Sequence, residues 1–463
     1  MIKDKNKKEK KIPSSFRDPS GFVFCNGDEL YRQINFSYKK HYDYLTNSGF
    51  LKYLWQKDFL ISHKEISLNQ KFSELAYKVI QPEIVPFISY PYEWCFSELK
   101  DAALTMLQIQ KSALNFGMCL KDASAYNIQF FRGKPILIDT LSFEVYEDGA
   151  PWIAYKQFCQ HFLAPLALMS RNAHLGRLLR VFIDGIPLNL TSSLLTYSSF
   201  LNPFLCAHIH FHAKVEKRLE KETSISSKKY FLSKKRLIAL VDNLESAVLS
   251  LRWTPKGTEW ADYYKETNYS LEAFNNKKEI IGMFLDKIKP SKLWDIGSNT
   301  GAFSRIAAAK NIETVSFDVD SAAVEKNYLE LKANHETNII PLVFDIVNPS
   351  PPIGWANKER NSLQERGTAD AILALALVHH LVISENIPFL NIAEFFSKIG
   401  NSLIIEFVPK EDSQLKRMLS SSIKNFPVYT QEEFEGAFQN YFSIDSIKPI
   451  KNSKRILYLM KKI

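Results

Sequence analysis

Cysteine is scarce in this chain, and its placement is unlike that of a disulfide-stabilised secreted protein. There are five cysteines in 463 residues, all in the first half, and none belongs to a Cys-x-x-Cys pair. An odd number of cysteines without paired spacing favours free thiols in a reducing compartment. We therefore predict no disulfide framework.

Long apolar runs are also missing. The longest, Phe162 to Met169 and Ala371 to Val378, fall far short of the roughly 20 residues that a membrane span needs. The basic start of the sequence leads into Pro13 to Asp18 and not into an apolar segment, so no signal peptide is predicted. From these absences we expect no membrane span and a cytoplasmic location.

The charge is mixed, with a basic excess of +9 and a pI near 9.0. Part of the excess lies in residues 1–12, which we predict to be a disordered basic tail. Residues 214–252 carry charges of both signs in a helical pattern and are predicted to be a charged helical linker between two halves. Mixed signs argue against a nucleic-acid partner, although the basic balance leaves RNA as an alternative.

One glycine-containing turn stands out in a chain with 16 glycines. An apolar strand beginning at Leu293 ends in Asp295 and enters a turn with Gly297 and Gly301, followed by a predicted helix over 302–310. Gly297 permits a sharp turn and close approach of a ligand, and Gly301 permits close packing of the helix on the strand, so that the helix start faces the ligand. An acid in this loop repels a pyrophosphate but attracts an ammonium group, which favours a cofactor with an α-amino group.

Polar residues end three further predicted strands. The strand over 314–317 ends in Asp318, the strand over 339–344 ends in Asp345, and the fully apolar strand over 371–378 ends in His379 and His380. In an open parallel sheet such strand ends meet at the edge where ligands bind.

Together these residues resemble the class I S-adenosylmethionine-dependent methyltransferases. The resemblance implies an α/β domain over 253–463 with a seven-stranded Rossmann-like sheet, closed by an antiparallel pair at 442–447 and 455–460. It also implies that Asp318 binds the ribose, that Asp345 meets the adenine amine, and that Ala374 to His380 face the transferable methyl. The implied cofactor-binding residues are Asp295, Gly297, Ser298, Asn299, Gly301, Asp318, Asp345 and Ala374.

The methyl donor already carries a good leaving group, so the protein must align the acceptor and, for a hydroxyl, remove its proton. His379 and His380 are the candidate bases, and alternation along a strand favours His380. The other interpretation is that one histidine caps the strand and the other enters the core. No Asn-Pro-Pro-Tyr or Asp-Pro-Pro-Tyr signature follows the fourth strand, which argues against methylation of amino groups on DNA bases. The expected acceptor is a hydroxyl of a sugar or other small molecule, with RNA or protein as the alternative.

A second group of polar residues lies in the first half. Asp122, Asn127 and Asp139 follow a predicted helix over 95–117, and their setting resembles the catalytic loop and metal-binding aspartate of protein-kinase-like and aminoglycoside-kinase-like phosphotransferases. The resemblance implies a kinase-like α+β domain over 13–213. In it Asp122 would be a base, while Asn127 and Asp139 would hold magnesium under the phosphates of ATP.

The departures from the kinase pattern are several. Leu120 stands where the family has histidine, Lys121 precedes Asp122, Asp139 begins Asp-Thr-Leu and not Asp-Phe-Gly, and no glycine-rich loop occurs near residues 21–34. Asp122 and Asn127 can equally cap the loop through nearby amides. A kinase-like fold used to recognise the acceptor is therefore favoured over a bifunctional protein with a working phosphotransferase.

The remaining candidate is the run His208, His210 and His212. Alternate histidines invite a metal interpretation, but no cysteine or carboxylate stands at matching spacing, and no metal is predicted. Taken whole, the chain looks like a bacterial two-part family described only as class I methyltransferases, which leaves the acceptor unnamed.

Overall fold

The computed structural model describes residues 10–27, 29–219, 231–255, 270–412, 415–416 and 429–463. The chain is mixed α/β, as predicted, and forms two compact units. The first unit comprises Met1–Trp253 with Pro352–Arg360, and the second comprises Thr254–Pro351 with Asn361–Ile463. Among the described helices, none combines the length and the apolar character needed to cross a membrane.

The first unit begins with a five-stranded antiparallel sheet in the order β1-β2-β3-β5-β4. The strands are β1 (Lys10–Lys11), β2 (Gly21–Asn26), β3 (Glu29–Asn35), β4 (His63–Ile66) and β5 (Ala76–Pro82). Its first strand overlaps the predicted disordered tail. That prediction is wrong for residues 10–12, because Lys10 and Lys11 pair with β2 and the Ile12 amide donates to the Val23 carbonyl at 2.9 Å. Residues 1–9 of the predicted tail lie outside the described residues.

Helices and two short strand pairs make up the rest of the first unit. The strand pairs are β6 (Met118–Leu120) with β9 (Phe143–Val145), and β7 (Ile128–Phe131) with β8 (Lys134–Leu137). The helices are α1 (Lys39–Asn47), α2 (Phe50–Gln56), α3 (Phe96–Asn115), α4 (Tyr155–Phe158), α5 (Ala164–Met169), α6 (Leu178–Val181), α7 (Leu188–Leu194), α8 (Pro203–Leu205), α9 (His212–Leu219) and α10 (Lys234–Ser250), with π-helical turns at Cys159–Leu163 and Cys206–Phe211.

Helix α10 contradicts the predicted linker over 214–252. Leu237, Val241 and Leu244 are fully buried, and the helix packs against α3. Lys111 of α3 also pairs with Glu245 of α10 at 2.6 Å. Apolar residues repeating every three or four positions give α10 one buried face, so it belongs to the core of the first unit. Residues 220–230 of the predicted linker lie outside the described residues.

A segment distant in sequence completes the first unit. Within Pro352–Arg360, Glu359 is 4% exposed and accepts hydrogen bonds from the guanidinium of Arg17 at 2.7 and 3.0 Å. The guanidinium of Arg360 lies 4.2 Å from the ring centre of Tyr126. This segment is part of the long loop between the predicted strands at 339–344 and 371–378. An ion pair and a cation–π contact connect it to the rest of the first unit.

The second unit is built on a seven-stranded sheet in the order β12-β11-β10-β13-β14-β16-β15. Its first five strands are parallel, β16 runs antiparallel to β14, and the edge strand β15 runs antiparallel to β16. The strands are β10 (Lys292–Ile296), β11 (Glu313–Asp318), β12 (Ile339–Val343), β13 (Ala369–Ala374), β14 (Gly400–Phe407), β15 (Phe442–Pro449) and β16 (Ile456–Lys462). The helices are α11 (Leu271–Ile288), α12 (Ser304–Ala308), α13 (Ser321–Asn334), α14 (Phe389–Ile399) and α15 (Gln431–Phe438), with a π-helical turn at His380–Ser384.

Helix α11 covers one face of this sheet. At its start the Ser270 hydroxyl accepts a hydrogen bond from the Ala273 amide at 3.1 Å. It is terminated by Lys289, which has a left-handed φ of 51° and is followed by Pro290. Its apolar side packs on the sheet in a cluster that includes Phe284 and Leu293. Each such side chain, fully buried, contributes about 1.5–3 kcal/mol to stability. Because β10 pairs parallel with β11 and with β13, the carboxyl ends of all three strands lie at one edge of the sheet.

Candidate cofactor and active site

The turn after β10 has the backbone that its glycines permit. Gly297 has φ of +79°, and a Cβ added there would meet nothing closer than Leu377 Cδ1, at 3.5 Å. That distance is ordinary van der Waals contact, and Gly297 is exposed, so a ligand can approach the backbone beside Leu377. Gly301 has φ of +78°, and a Cβ added there would lie 2.5 Å from Oδ1 of Asn327. Gly301 thus makes room for a side chain of α13.

The helix that follows is shorter and later than predicted. It spans Ser304–Ala308, not residues 302–310, because Gly301 to Phe303 still belong to the turn and the Gly301 amide donates to the Ser298 carbonyl at 2.9 Å. A five-residue helix has little dipole to offer to a ligand.

Asp318 is tied to the glycine turn. One carboxylate oxygen accepts the backbone amide of Asn299 at 2.7 Å, and the other accepts the amide of Asp320 at 2.8 Å. Burial raises the pKa of Asp318 to about 6, against the effect of these two amides. Each carboxylate oxygen can accept more than one hydrogen bond, so the acid retains capacity for hydroxyl donors.

Asp295 lies at the end of the neighbouring strand and is 1% exposed. Its Oδ2 accepts the hydroxyl of Ser304 at 2.6 Å. Burial raises the pKa of Asp295 to about 7, while the Ser304 hydrogen bond and the charge of Lys277 oppose the shift. The two acids at this sheet edge are therefore poised to change ionisation near neutral pH.

The loop also holds a buried polar atom without a partner among the described residues, Oγ of Ser298, whose residue is 3% exposed. A buried hydroxyl without a hydrogen bond is costly, and a polar ligand at the open side of Gly297 would relieve that cost. Two acids, an unpartnered hydroxyl and exposed loop backbone suit a ligand with an ammonium group and hydroxyls. The residues present therefore fit S-adenosylmethionine.

The other two predicted cofactor residues flank this edge. Val343 of β12 pairs with Asp318, and Asp345 follows two residues later, half-buried, with Oδ1 accepting the Val347 amide at 3.0 Å. Ala374 is the last residue of β13 and is fully buried. The fold thus places both at the carboxyl edge of the sheet.

The two histidines are not at a strand end. Strand β13 stops at Ala374, Ala376 has a left-handed φ of 49°, and His379 and His380 lie in the helical turns that follow. The argument from strand alternation is therefore wrong. The two imidazoles do differ in burial, since His379 is 3% exposed and His380 is partly exposed, with ring centres 4.2 Å apart.

Both imidazoles are neutral at pH 7. Burial lowers the pKa of His379 well below its ordinary value, and it lowers the pKa of His380 to about 4, with a smaller effect from the Arg455 charge in each case. Nδ1 of His379 is buried without a hydrogen-bond partner in the described part of the chain. A neutral imidazole offers one nitrogen that can accept a proton.

Sequence reasoning missed a buried ion network beside these groups. Nζ of Lys277 lies 2.6 Å from Glu406, which also contacts Arg455 at 3.3 Å, and Arg455 pairs with Asp412 at 2.8 Å. The Lys277 and Glu406 side chains are 3% and 0% exposed. Lys277 also lies 4.5 Å from the ring centre of Phe303 in the cofactor loop. The signal available in the sequence was a charged residue within the apolar pattern of α11 and another within that of β14.

In the first unit the three kinase-like residues do come together. Asp122 hydrogen-bonds with Asn127, and Ser142 links Asn127 to Asp139 at 3.4 and 3.0 Å. Burial raises the pKa of Asp122, and the nearby Asp139 raises it further. Gln157, which the sequence did not single out, donates to Asp122 at 2.8 Å.

This arrangement does not fit a magnesium nucleotide. Asp139 Oδ1 lies 2.7 Å from the guanidinium of Arg32 and accepts the Leu141 amide, while its Oδ2 accepts the Ser142 hydroxyl. The same guanidinium contacts Asp18 at 3.4 Å, on the segment between β1 and β2. A magnesium ion on Asp139 Oδ1 would have to displace the guanidinium of Arg32.

Of the three histidines near residue 210, His212 begins α9, with Nε2 3.7 Å from Glu216, and the other two are used internally. Both ring nitrogens of His208 bond to protein groups, Tyr155 at 2.7 Å and Asn243 at 2.6 Å. Both ring nitrogens of His210 lie within hydrogen-bond distance of serine hydroxyls, at 2.7 and 2.8 Å. They lie in a π-helical turn, and these partners account for their burial.

No protein-family model matches the chain. A curated relative, the nodulation protein NoeA of Rhizobium meliloti (strain 1021), is 33% identical over 465 residues, which cover 98% of this chain and 96% of the relative. This alignment includes both units.

Solved structures give more distant likenesses. The N-methyltransferase NodS from Bradyrhizobium japonicum WM9 is 12% identical, with a TM-score of 0.32 over 42% of this chain and 98% of its own. The bifunctional kinase-methyltransferase WbdD is 14% identical, with a TM-score of 0.31 over 45% of this chain and 43% of its own. TM-scores this low do not establish a shared fold.

Proposed function

This chain belongs to the family of the Rhizobium meliloti nodulation protein NoeA, and from that premise we propose that it is an S-adenosylmethionine-dependent methyltransferase. The supporting observation is the junction of the glycine turn with Asp318, whose carboxylate accepts the Asn299 amide at 2.7 Å. At that junction Asp318 lies beside the exposed Gly297 and near the buried acid Asp295, which supports a site for a ligand with hydroxyls and an ammonium group. By the relative's name, the process proposed for the chain is nodulation.

In this proposal each residue has one task. Asp318 accepts from the ribose hydroxyls, Asp345 meets the adenine amine, and Asp295 attracts the ammonium group. When bound, the cofactor supplies an activated methyl group. Gly297 leaves the space in which the cofactor lies, and Ser298 Oγ gains the hydrogen bond it otherwise lacks.

The acceptor is proposed to be a hydroxyl of a small molecule or sugar. His380, the more exposed of the two histidines, accepts the proton of that hydroxyl, and His379 supports it from the core. A pKa of about 4 makes His380 a weak base, so we assign much of the acceleration to alignment of the acceptor with the methyl group.

The first unit is proposed to have a kinase-like fold that serves acceptor recognition. The convergence of Asp122, Asn127 and Asp139 favours that fold, whereas the Arg32–Asp139 ion pair speaks against an active phosphotransferase. A bifunctional protein remains the second candidate because the three residues converge at all.

Calorimetric titration of S-adenosylmethionine tests the cofactor assignment. Asp318→Ala should weaken binding about 10²-fold, since it removes hydrogen bonds to a charged group. Asp139→Asn, which removes a charge from the other unit, is the matched control and should leave the affinity unchanged. Failure of the wild-type protein to bind the cofactor would reject the proposal, and equal affinities for wild type and Asp318→Ala would reject the ribose assignment.

A further inference from the structure

A line of buried hydrogen bonds runs from the surface to Asp295. The Ser304 hydroxyl lies 2.6 Å from Asp295 and 2.8 Å from the hydroxyl of Ser316. Nδ2 of Asn327 lies 3.0 Å from the Ser316 hydroxyl, and Arg305 lies 3.0 Å from Oδ1 of Asn327. Ser304, Ser316 and Asn327 are each fully buried, so water does not compete for these bonds.

The direction of every bond in this line follows from its outer end. Arg305 can only donate, so the amide oxygen of Asn327 faces it and the amide nitrogen faces Ser316. Ser316 accepts from Asn327 and therefore has its own proton free for Ser304. Ser304, having accepted that proton, donates its own to Asp295. All donors consequently point towards the Asp295 carboxylate.

We propose that Ser316 and Asn327 are positioning residues that act through Ser304 to keep Asp295 a carboxylate, available to the ammonium group of the cofactor. The inference rests on the proposed function for its ligand, but its hydrogen bonds are independent of any ligand. A chain of aligned donors stabilises an anion more than its last bond alone would. A protonated Asp295 would accept the Ser304 hydrogen bond only through a neutral carbonyl oxygen, which is a weaker acceptor than a carboxylate oxygen, so the line of donors favours the ionised form.

The same line also fixes the shape of the loop. Arg305 donates to the Thr300 carbonyl at 2.7 Å, and Asn327 occupies the space that a side chain at Gly301 would need. Arg305 in turn forms an ion pair with Glu336, at 2.9 Å. The residue that orients the outer end of the line is therefore itself fixed by an ion pair at the surface.

Two other charged groups bear on Asp295. Lys277 reaches it from α11 and favours the carboxylate, whereas Asp318 of the neighbouring strand opposes it. Neither is altered in the variants chosen below, so a change in the ionisation of Asp295 can be assigned to the hydrogen-bond line.

Ser316→Ala interrupts the line without touching Asp295 or its direct donor. Carbon-13 NMR of protein labelled at aspartate, with the Asp295 signal identified by its loss in Asp295→Asn, measures the protonation midpoint without cofactor. We expect the midpoint in Ser316→Ala to rise by about half to one pH unit relative to wild type. Because Asp295 has a pKa of about 7, a shift of this size lowers its ionised fraction at pH 7, and hence the cofactor affinity, about two- to fivefold.

Thr314→Val is the matched control. Thr314 lies two residues before Ser316 on the same strand and the same face and is 2% exposed. Among the described residues its hydroxyl bonds only to the Ile312 carbonyl. Its loss should leave the midpoint unchanged, and Ser316→Thr should restore the wild-type midpoint. If Ser316→Ala does not fold, Ser316→Cys, with its weak donor, allows the same comparison.

Coincident midpoints for Ser316→Ala, Thr314→Val and wild type would overturn the proposed role of the line. Failure of the wild type to bind S-adenosylmethionine, with the midpoint still displaced in Ser316→Ala, would instead reject the proposed function and leave the control of Asp295 ionisation standing.

Discussion

Aspartates near strand ends are used in opposite ways in the two units. In the first unit, Asp139 ends a β-hairpin region and has both carboxylate oxygens bonded, one of them to the guanidinium of Arg32. In the second unit, Asp295 ends a strand and is held by a neutral hydroxyl, while Asp318 is held by backbone amides. A full cation cancels the charge that a ligand would need, whereas neutral donors preserve it.

The comparison teaches that an aspartate at a strand end does not by itself indicate a ligand site. What distinguishes the two units is the partner of each acid, which sequence position does not reveal. The following experiments test how the partners of buried and partly buried charged groups affect stability and function, from the largest expected effect to the smallest.

Glu406→Ala should have the largest effect on stability. It leaves Lys277 and Arg455 buried without their shared partner, and breaking a buried pair in this way costs about 3–5 kcal/mol of unfolding free energy. Hydrogen exchange of β14 measures the loss within the second unit. Glu394→Ala removes an exposed partner of Lys398 and serves as control, with an expected change of about 0.5 kcal/mol or less. Similar exchange in both variants would show that the network contributes little.

His380→Ala should lower turnover about 10²-fold, at the low end of the range for loss of a general base, because a base with a pKa near 4 is weak. Its affinity for S-adenosylmethionine should not change. In the wild type, neutral imidazole persists from about pH 5.5 to 8, so turnover at saturating cofactor should be flat there.

Cofactor affinity should behave differently over the same range. It should fall as pH drops through 7 and then 6, since Asp295 and Asp318 become protonated and lose their attraction for the ammonium and hydroxyl groups. Turnover at saturation that tracks a group with an ordinary histidine pKa would contradict the assignment of His380.

Arg32→Met probes the ion pair of the first unit. It leaves Asp139 with two neutral partners, and we expect a loss of about 1–3 kcal/mol in the unfolding free energy of that unit. Arg132→Met removes a largely exposed partner of Glu83 and should change it by about 0.5 kcal/mol or less. Equal stabilities for the two variants would mean that the buried pair is no stronger than a surface one.

The smallest effect is expected from nucleotide. Magnesium ATP at millimolar concentration should leave the melting temperature of the wild type unchanged, because binding would require Arg32 to leave Asp139. S-adenosylmethionine should raise it in the same assay. A rise with magnesium ATP that is lost in Asp139→Asn would restore the phosphotransferase alternative.

Local patterns predicted much of the second unit. The apolar runs ending in Asp295 and Asp318 gave strands close to those observed, and the glycine turn could be placed because glycine frees the backbone there. The position of His379 and His380 could not be predicted, since an apolar run continues through Val378 although the strand stops at Ala374. The left-handed turn at Ala376 separates the strand from the two histidines, and an alanine in the sequence does not indicate such a turn.

The errors in the first unit have a similar cause. The charged residues of α10 suggested a linker, while its repeating apolar residues, Leu237, Val241 and Leu244, already indicated a buried face. The partners Arg32 and Gln157 of the two aspartates come from distant parts of the chain. Contacts of this kind depend on tertiary packing and have no local signature.

The nine residues Pro352–Arg360 make the first unit discontinuous in sequence. A gene cut once after codon 253 would therefore encode a first product without Glu359 and Arg360, leaving Arg17 without its buried carboxylate and Tyr126 without its cation. Neither half could be inherited, fused or exchanged alone as an intact module. Recombination that preserves both units must keep the two parts of the gene together, which is consistent with a relative that aligns over nearly the full length.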